Sequence, residues 1–313
     1  MPYRVKAHEP PAQAVKRMAI EQVGKAIGEL RNPDMDAHAA VHQVRKRCKK
    51  IRALLRLVRP TMEGIYSEEN AWYRDVARKL SDLRDAEAMI ETFDDLREIF
   101  QELLDEEAFG QVRQGLVARR DRMADGEADL EALRPELAIH LDNARPRIET
   151  WPIPDGGFDV FAGIEKVYDR GRTAMSEAYR KPGEEAFHEW RKRVKYLRYQ
   201  VRMLRGIWPA ILRPLRGQLK TLSDYLGDEH DLSVFGETLR KEGKELTEDR
   251  TLEALLALVE QRKDELRARA RPLGTRIYAE KAGRFTKRMA TYWDAWQQQL
   301  ASRPILAHQQ VSA

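Results

Sequence analysis

Two segments of the chain carry rows of basic side chains whose spacing, three and four residues in alternation, is that of one helix face. Each row would extend about 25 Å along its helix. A linear row of cations suits a linear polyanion such as a phosphate chain, because arginine offers bidentate hydrogen bonds and lysine a mobile point charge. The rows are His42, Arg45, Lys49, Arg52, Arg56 and Arg59, and then His188, Arg191, Lys195, Arg198, Arg202 and Arg205.

Neither row is neutralised within its own segment. Residues 37–60 contain no Asp or Glu, and residues 188–209 contain only Glu189. Like charges at this spacing repel by a few tenths of a kcal/mol per pair, and a helix built only for solubility intersperses glutamate. We therefore favour a polyanion site over two alternatives, a solvated face and ion pairing with acidic helices elsewhere. The acidic candidates for such pairing are Asp75, Asp82, Asp85, Asp224, Asp228 and Asp231.

An apolar row runs beside each basic row at the same spacing, and such a row faces a core. We expect Cys48 to be a small buried hydrophobe and Trp190 to be a core residue. Because the basic rows adjoin the core, they should face a groove between helices and line one shared channel. Arg74 and Lys220 are candidates for its mouth, with Arg120 and Arg262 as weaker ones. The apolar rows are Val41, Val44, Cys48, Ile51, Leu55 and Val58, and then Phe187, Trp190, Val194, Leu197, Val201 and Leu204.

The two segments belong to an internal duplication with an offset of 146 residues. The offset maps Arg56 onto Arg202 and continues without a gap to Arg74 and Lys220. A stretch rich in proline and glycine, residues 145–157, breaks the helical pattern and predicts the junction. We predict one domain made of two helical bundles related by a pseudo-two-fold axis. The first bundle covers residues 8–150, the second covers 151–302, and a tail covers 303–313.

The elements that must position these rows are helices. Few segments alternate apolar and polar residues with a period of two, whereas apolar residues at helical spacing recur among good helix formers. The fold class predicted is all-α. In the first half we predict helices at about 10–30, 36–59, 68–92, 95–125 and 127–148. In the second half we predict them at about 158–180, 184–208, 213–243, 248–271 and 283–302.

Composition points to a soluble cytoplasmic protein whose charges are segregated. The 313 residues include 56 Lys+Arg, 51 Asp+Glu and one cysteine, so an internal disulfide is excluded and the net charge is +5. No run of 18 apolar residues predicts a membrane span, and the N-terminal residues lack a signal-peptide core. Residues 42–60 carry +8 and residues 188–209 carry +6, which leaves −9 for the rest. We expect an acidic shell around a basic repeated element.

The paired HxxRKRxKxxR motifs, the segments LSDLRDAEAM and LGDEHDLSVF, and the stretch from LGTRIYAEKAGRF to YWDAW resemble the CHAD family, the conserved histidine α-helical domain. The resemblance covers roughly residues 8–300. It implies two pseudo-symmetric bundles around a basic pore that binds inorganic polyphosphate, and association with polyphosphate granules. Lys46, Arg47, Lys192 and Arg193 fit the motif but point away on a helical wheel. The family's binding residues fall on His42, Arg45, Lys49, Arg52 and Arg56, and on His188, Arg191, Lys195, Arg198 and Arg202.

We expect no enzyme, no cofactor and no metal site. His38 and His42 have the spacing of a helical zinc pair, but no HExxH motif joins them, and other catalytic motifs are missing. Neighbouring cations should keep His42 and His188 neutral and weak as general acids. We also expect no carboxylates near the rows to hold a catalytic metal. His230 is expected to have a structural role beside a helix turn.

Three alternatives stay open at this point. A nucleic-acid binder would also depend on counterion release, although single-strand binding usually adds exposed aromatic side chains for stacking. A phosphohydrolase would need carboxylates or a metal near the basic rows. A scaffold would use the acidic surface to recruit protein partners.

Overall fold

A computed structural model describes residues 3–80, 85–101, 106–123 and 127–309, and all regular structure in these ranges is helical. The predicted all-α class is confirmed. No helix in the described ranges is long and apolar enough to cross a bilayer. The first half contains α1 (Pro11–Arg31), α2 (Ala37–Leu57), α3 (Tyr66–Arg78), α4 (Asp85–Ile99), α5 (Glu106–Met123), α6 (Glu127–Asp142) and α7 (Ala144–Glu149). The second contains α8 (Gly163–Arg180), α9 (Glu184–Leu204), α10 (Pro209–Leu246), α11 (Asp249–Ile277) and α12 (Ala282–Gln309).

The basic rows lie on α2 and α9, and local sequence explains where these helices begin. Asp36 caps α2 by accepting a hydrogen bond from the Ala39 amide at 2.9 Å. Such a cap satisfies one of the free amides of the first turn. α9 follows Gly183, which has an extended backbone, and α10 starts with Pro209 in its first turn, where a missing amide costs nothing. Every member of the two predicted apolar rows is buried, so that prediction is confirmed.

Two hydrophobic cores organise the fold, and each draws residues from both halves of the chain. The first core joins α1, α2 and α3 to α8, α9 and the first part of α10. The second joins α4 and α5 to the later part of α10 and to α11. α10 therefore spans both cores as one helix. The division into repeats at 8–150 and 151–302 stays a prediction, and α12 extends beyond the end predicted at 302.

The predicted helix at 68–92 is wrong, and so is the next one at 95–125. α3 ends at Arg78, and residues from 85 to 99 form the separate helix α4. The reason is a change of core, because Tyr73 and Val76 pack in the first core whereas Phe93 and Leu96 pack in the second. The corresponding part of the second half stays continuous as α10.

Contacts between α2 and α9 are reciprocal in the way that a two-fold axis requires. The Arg56 guanidinium lies 4.0 Å from the centre of the Tyr196 ring. The charge of Arg202 acts on Lys50 and lowers its pKa. At the offset of 146, Lys50 corresponds to Tyr196 and Arg56 to Arg202, so the two contacts exchange equivalent positions. Such exchange is the signature of an isologous contact, and it fits the predicted pseudo-two-fold relation.

Gly163, at the start of α8, lies so close to the end of α2 that a Cβ atom would clash with backbone. That atom would lie 2.5 Å from the Leu57 carbonyl oxygen and closer still to that of Arg56. We expect Gly163→Ala to lower the free energy of unfolding by about 1–3 kcal/mol in denaturant titrations. The control is Gly217→Ala, a helical site with open space, where stability should stay the same or rise. Equal stability of the two variants would contradict the close approach.

Candidate functional site

A cavity of about 610 Å³ lies where α2 and α9 meet α4, α10 and α11. We call it the basic cavity. Its cationic wall consists of Arg45 and Lys49 from α2, Arg191 from α9 and Arg262 from α11, with His230 from α10 beside them. Arg45 and Arg191 are equivalent in the predicted repeat. The structure thus brings the beginnings of both basic rows into one enclosed space.

The packing of α9 on α2 forces like charges together at this cavity. Gln200 donates a buried hydrogen bond from Nε2 to the Ala53 carbonyl oxygen at 3.3 Å and links the two helices. Burial first, and then the charges of Arg191 and Lys49, lower the pKa of Lys195 to about 6. A lysine that loses its charge in this way reports an excess of cations with too few anions to balance them.

His188 and His230 form a contact that was not predicted. Their Nδ1 atoms lie 3.1 Å apart, so one ring donates a hydrogen bond and the other accepts it. Burial, followed by nearby cations, lowers the pKa of His188 to about 4. Burial and the charge of Arg191 likewise lower the pKa of His230 to about 3. The prediction that the cations keep the row's histidine neutral is confirmed for His188, while His42 is half-buried on α2.

The later part of the first basic row is held by contacts within the protein. Asn70 accepts hydrogen bonds from Arg52 Nε at 3.2 Å and from Arg56 Nη1 at 2.8 Å. Arg56 also donates to the Arg52 carbonyl and stacks on Tyr196, and burial lowers its pKa. Arg52 and Arg56 therefore already have donors engaged in the absence of a ligand.

Ion pairing accounts for part of the second row. Arg191 Nη2 lies 3.9 Å from Asp231 Oδ1, and Arg198 Nη1 lies 3.9 Å from Asp224 Oδ1. Both distances are at the limit for an ion pair, and Asp224 also binds Lys220 Nζ at 2.6 Å. Carboxylates therefore approach the row without neutralising it. Asp82 and the side chain of Asp85, also expected as partners, lie outside the described residues.

The candidates for the channel mouth separate into two groups. Arg262 lines the basic cavity. Arg74 is exposed and pairs with Asp75 through two contacts of 2.9 and 3.0 Å, and Lys220 is also exposed. Arg120 donates to the neighbouring Asp121. The structure therefore places only Arg262 of these four in the wall of the basic cavity.

Carboxylates line the opposite wall of the basic cavity, so the expectation that none lie near the rows is wrong. Asp95 and Glu98 come from α4, and Asp228 and Asp231 come from α10. Burial and neighbouring carboxylates raise the pKa of Asp95 and of Asp228. The acidic wall arises because α4 packs on α10 and α11, a long-range contact. Among the described residues, no group of three or more His, Cys, Asp or Glu side chains is placed to hold a metal ion.

The motif cations that were predicted to point away do so. Arg47 pairs with Glu29 of α1, and both Lys192 and Arg193 pair with Glu189. Lys46 is exposed. These residues lie outside the wall of the basic cavity.

The sequence analysis missed Lys50, which lies off both rows on a helical wheel. It is only 4% exposed, and burial followed by nearby cations lowers its pKa to about 7. His230, Asp228 and Asp231 were given no binding role, although all three stand in the segment LGDEHDLSVF. That segment, which supported the family resemblance, was the available signal for the wall that α10 contributes.

A family model described as CHAD domain matches residues 17–240, which include both basic rows and the α10 wall of the cavity. The chain belongs to the CHAD family. Uncharacterized protein Rv2226 of Mycobacterium tuberculosis (strain ATCC 25618 / H37Rv) is 30% identical over 248 residues, which are 74% of this chain and 46% of that protein. Uncharacterized protein MT2285 of strain CDC 1551 / Oshkosh matches to the same extent. The CHAD chain thus spans about half the length of the curated relatives it matches.

Lys195→Met tests whether cation crowding is built into the folded CHAD domain. The pKa of Lys195 is lower in the folded than in the unfolded chain, so the charged form opposes folding and stability falls as pH falls from about 10 towards 6. We expect Lys195→Met to raise the Tm by about 2–4 °C at pH 7 and to flatten this pH dependence. The control is Lys192→Met on the same helix, which should change the Tm by about 1 °C or less. A larger loss of stability at residue 195 than at 192 would contradict the crowding.

Proposed function

We propose that the chain binds inorganic polyphosphate without hydrolysing it, and that this binding brings it to polyphosphate granules in the cytoplasm. The observation that carries the proposal is the meeting of Arg45, Lys49 and Arg191, from two helices, in one cavity. The lowered pKa of Lys195 beside them marks an excess of positive charge that a polyanion would relieve. Membership of the CHAD family, which is associated with polyphosphate binding, supports the same ligand.

The lining of the basic cavity favours polyphosphate over nucleic acid. Its side chains are charged, polar or aliphatic, and the apolar ones are Leu96, Ile99 and Leu232. Binding of single strands usually uses aromatic side chains as stacking platforms, and Tyr196 is covered by Arg56 instead. A duplex is read by an exposed element that enters a groove, whereas these basic rows lie half-buried between helices.

A phosphohydrolase is the second candidate, and the acidic wall is the observation that favours it. Asp95, Glu98, Asp228 and Asp231 face the cationic wall across the cavity, and carboxylates commonly hold the metal ions of phosphoryl-transfer sites. We favour binding alone because a general acid is lacking at neutral pH, since the pKa values of His188 and His230 lie at about 4 and 3.

Competition between polyanions tests the choice of ligand. Labelled long-chain polyphosphate is bound to the protein at about 150 mM salt, where the Debye length is about 8 Å. Unlabelled polyphosphate, single-stranded DNA and duplex DNA are then added at matched charge. We expect polyphosphate to displace the label at the lowest concentration. A preference for either DNA would contradict the proposal.

Paired variants test the location of binding and the lack of hydrolysis. Arg45→Gln with Arg191→Gln should weaken polyphosphate binding at least tenfold, because each charge-assisted hydrogen bond contributes about 1.5 kcal/mol or more. Arg250→Gln with Arg269→Gln, at exposed positions of α11, removes the same charge and should change affinity much less. Equal losses would show non-specific attraction. Release of free phosphate with Mg²⁺ present that is lost in Asp228→Asn would establish the hydrolase instead.

A further inference from the structure

Four arginines converge at the turn between α9 and α10, at the end of the second basic row away from the basic cavity. Arg202 lies in the last turn of α9, and Arg205 caps that helix. Arg213 and Arg216 lie near the start of α10. Burial first, and then the charges of the other three together with Arg4, lower the pKa of Arg205. We call the four residues the distal arginine cluster.

The distal arginine cluster has unused capacity to donate hydrogen bonds. The Nε atoms of Arg202 and Arg205 are buried and have no hydrogen-bond partner. Within the part of the chain that the structure describes, none of the four arginines forms an ion pair with a carboxylate. Asp224, the acid on the neighbouring stretch of α10, is engaged by Arg198 and Lys220. A buried charged donor without a partner is costly, so the cluster is built for an anion that the protein itself does not supply.

The two halves of the chain differ at this point, and the difference favours a ligand site in the second half only. At the offset of 146, Arg216 corresponds to Asn70, and Arg213 corresponds to Ser67. Asn70 accepts hydrogen bonds from Arg52 and Arg56 and so satisfies the first row internally. In the second half an arginine takes the place of that acceptor. Charge is therefore added where the first half neutralises donors.

We propose that the distal arginine cluster is a second anchoring site for condensed phosphate, continuous with the basic cavity along α9. The inference rests on the proposed function, since the ligand is the same phosphate chain. Arg191, at the cavity, and Arg205, in the cluster, lie about 21 Å apart along the helix axis. Lys195 and Arg198 fill the interval on the same face of the helix. A long chain leaves the cavity along α9 and is held at both ends of this track, whereas a short oligomer reaches only one end.

The test replaces the two α10 arginines by their counterparts from the first half. Arg213→Ser with Arg216→Asn should weaken long-chain polyphosphate binding about tenfold and lower the slope of log affinity against log salt by about one. Tripolyphosphate, which is too short to span the track, should bind to the basic cavity with unchanged affinity. Arg250→Ser with Arg269→Asn serves as the control with the same loss of charge. Circular dichroism and the Tm verify that each variant is folded.

The outcomes separate this inference from the proposed function. If the unmodified protein binds no polyphosphate, both fail. If it binds, and the Arg213→Ser, Arg216→Asn variant keeps its long-chain affinity and salt slope, the distal site alone is overturned. If that variant loses affinity for single-stranded DNA but not for polyphosphate, the cluster belongs to a nucleic-acid surface next to the exposed Trp208, and the inference is again overturned. A selective loss for long-chain polyphosphate establishes the track.

Discussion

Repulsion between two rows of cations, enforced by the packing of α2 on α9, is the constraint on which the rest of the structure depends. The apolar rows of both helices are buried together in the first core, and their burial stabilises the contact. The same packing places Lys49 close enough to Lys195 to lower its pKa. A folded state that accepts this opposition gains an enclosed cationic site, and a polyanion is the ligand that removes the cost.

The elements around the crossing divide the charge unequally. The acidic faces of α4 and α10 close one side of the basic cavity and repel one another, which raises the pKa of Asp95 and Asp228. At the other end of α9, the distal arginine cluster has no such wall. In the first half, Asn70 and Tyr196 engage the corresponding arginines. A pseudo-symmetric pair of helices thus acquires a direction, from the cavity along α9.

Sequence periodicity predicted what one helix decides by itself. The apolar and basic rows, the burial of Cys48 and the outward direction of Arg47 follow from a rotation of 100° per residue, so they could be read from the chain. The break between α3 and α4, the acidic wall and the contact of His188 with His230 depend on which helices pack together. They join residues far apart in sequence, and no local pattern encodes them. The replacement of Asn70 by Arg216 was visible at the offset of 146, but its meaning required the hydrogen bonds that Asn70 makes.

Proton uptake on binding tests the central claim most directly. Lys195 has a pKa of about 6 in the free protein and is largely neutral at about pH 7.5. A bound polyanion raises this pKa, so binding should take up protons and affinity should fall as pH rises. Calorimetric titration with long-chain polyphosphate, in two buffers of different ionisation enthalpy, measures the protons exchanged. We predict net uptake that is lost in Lys195→Met. Saturable binding without any proton exchange would contradict the account.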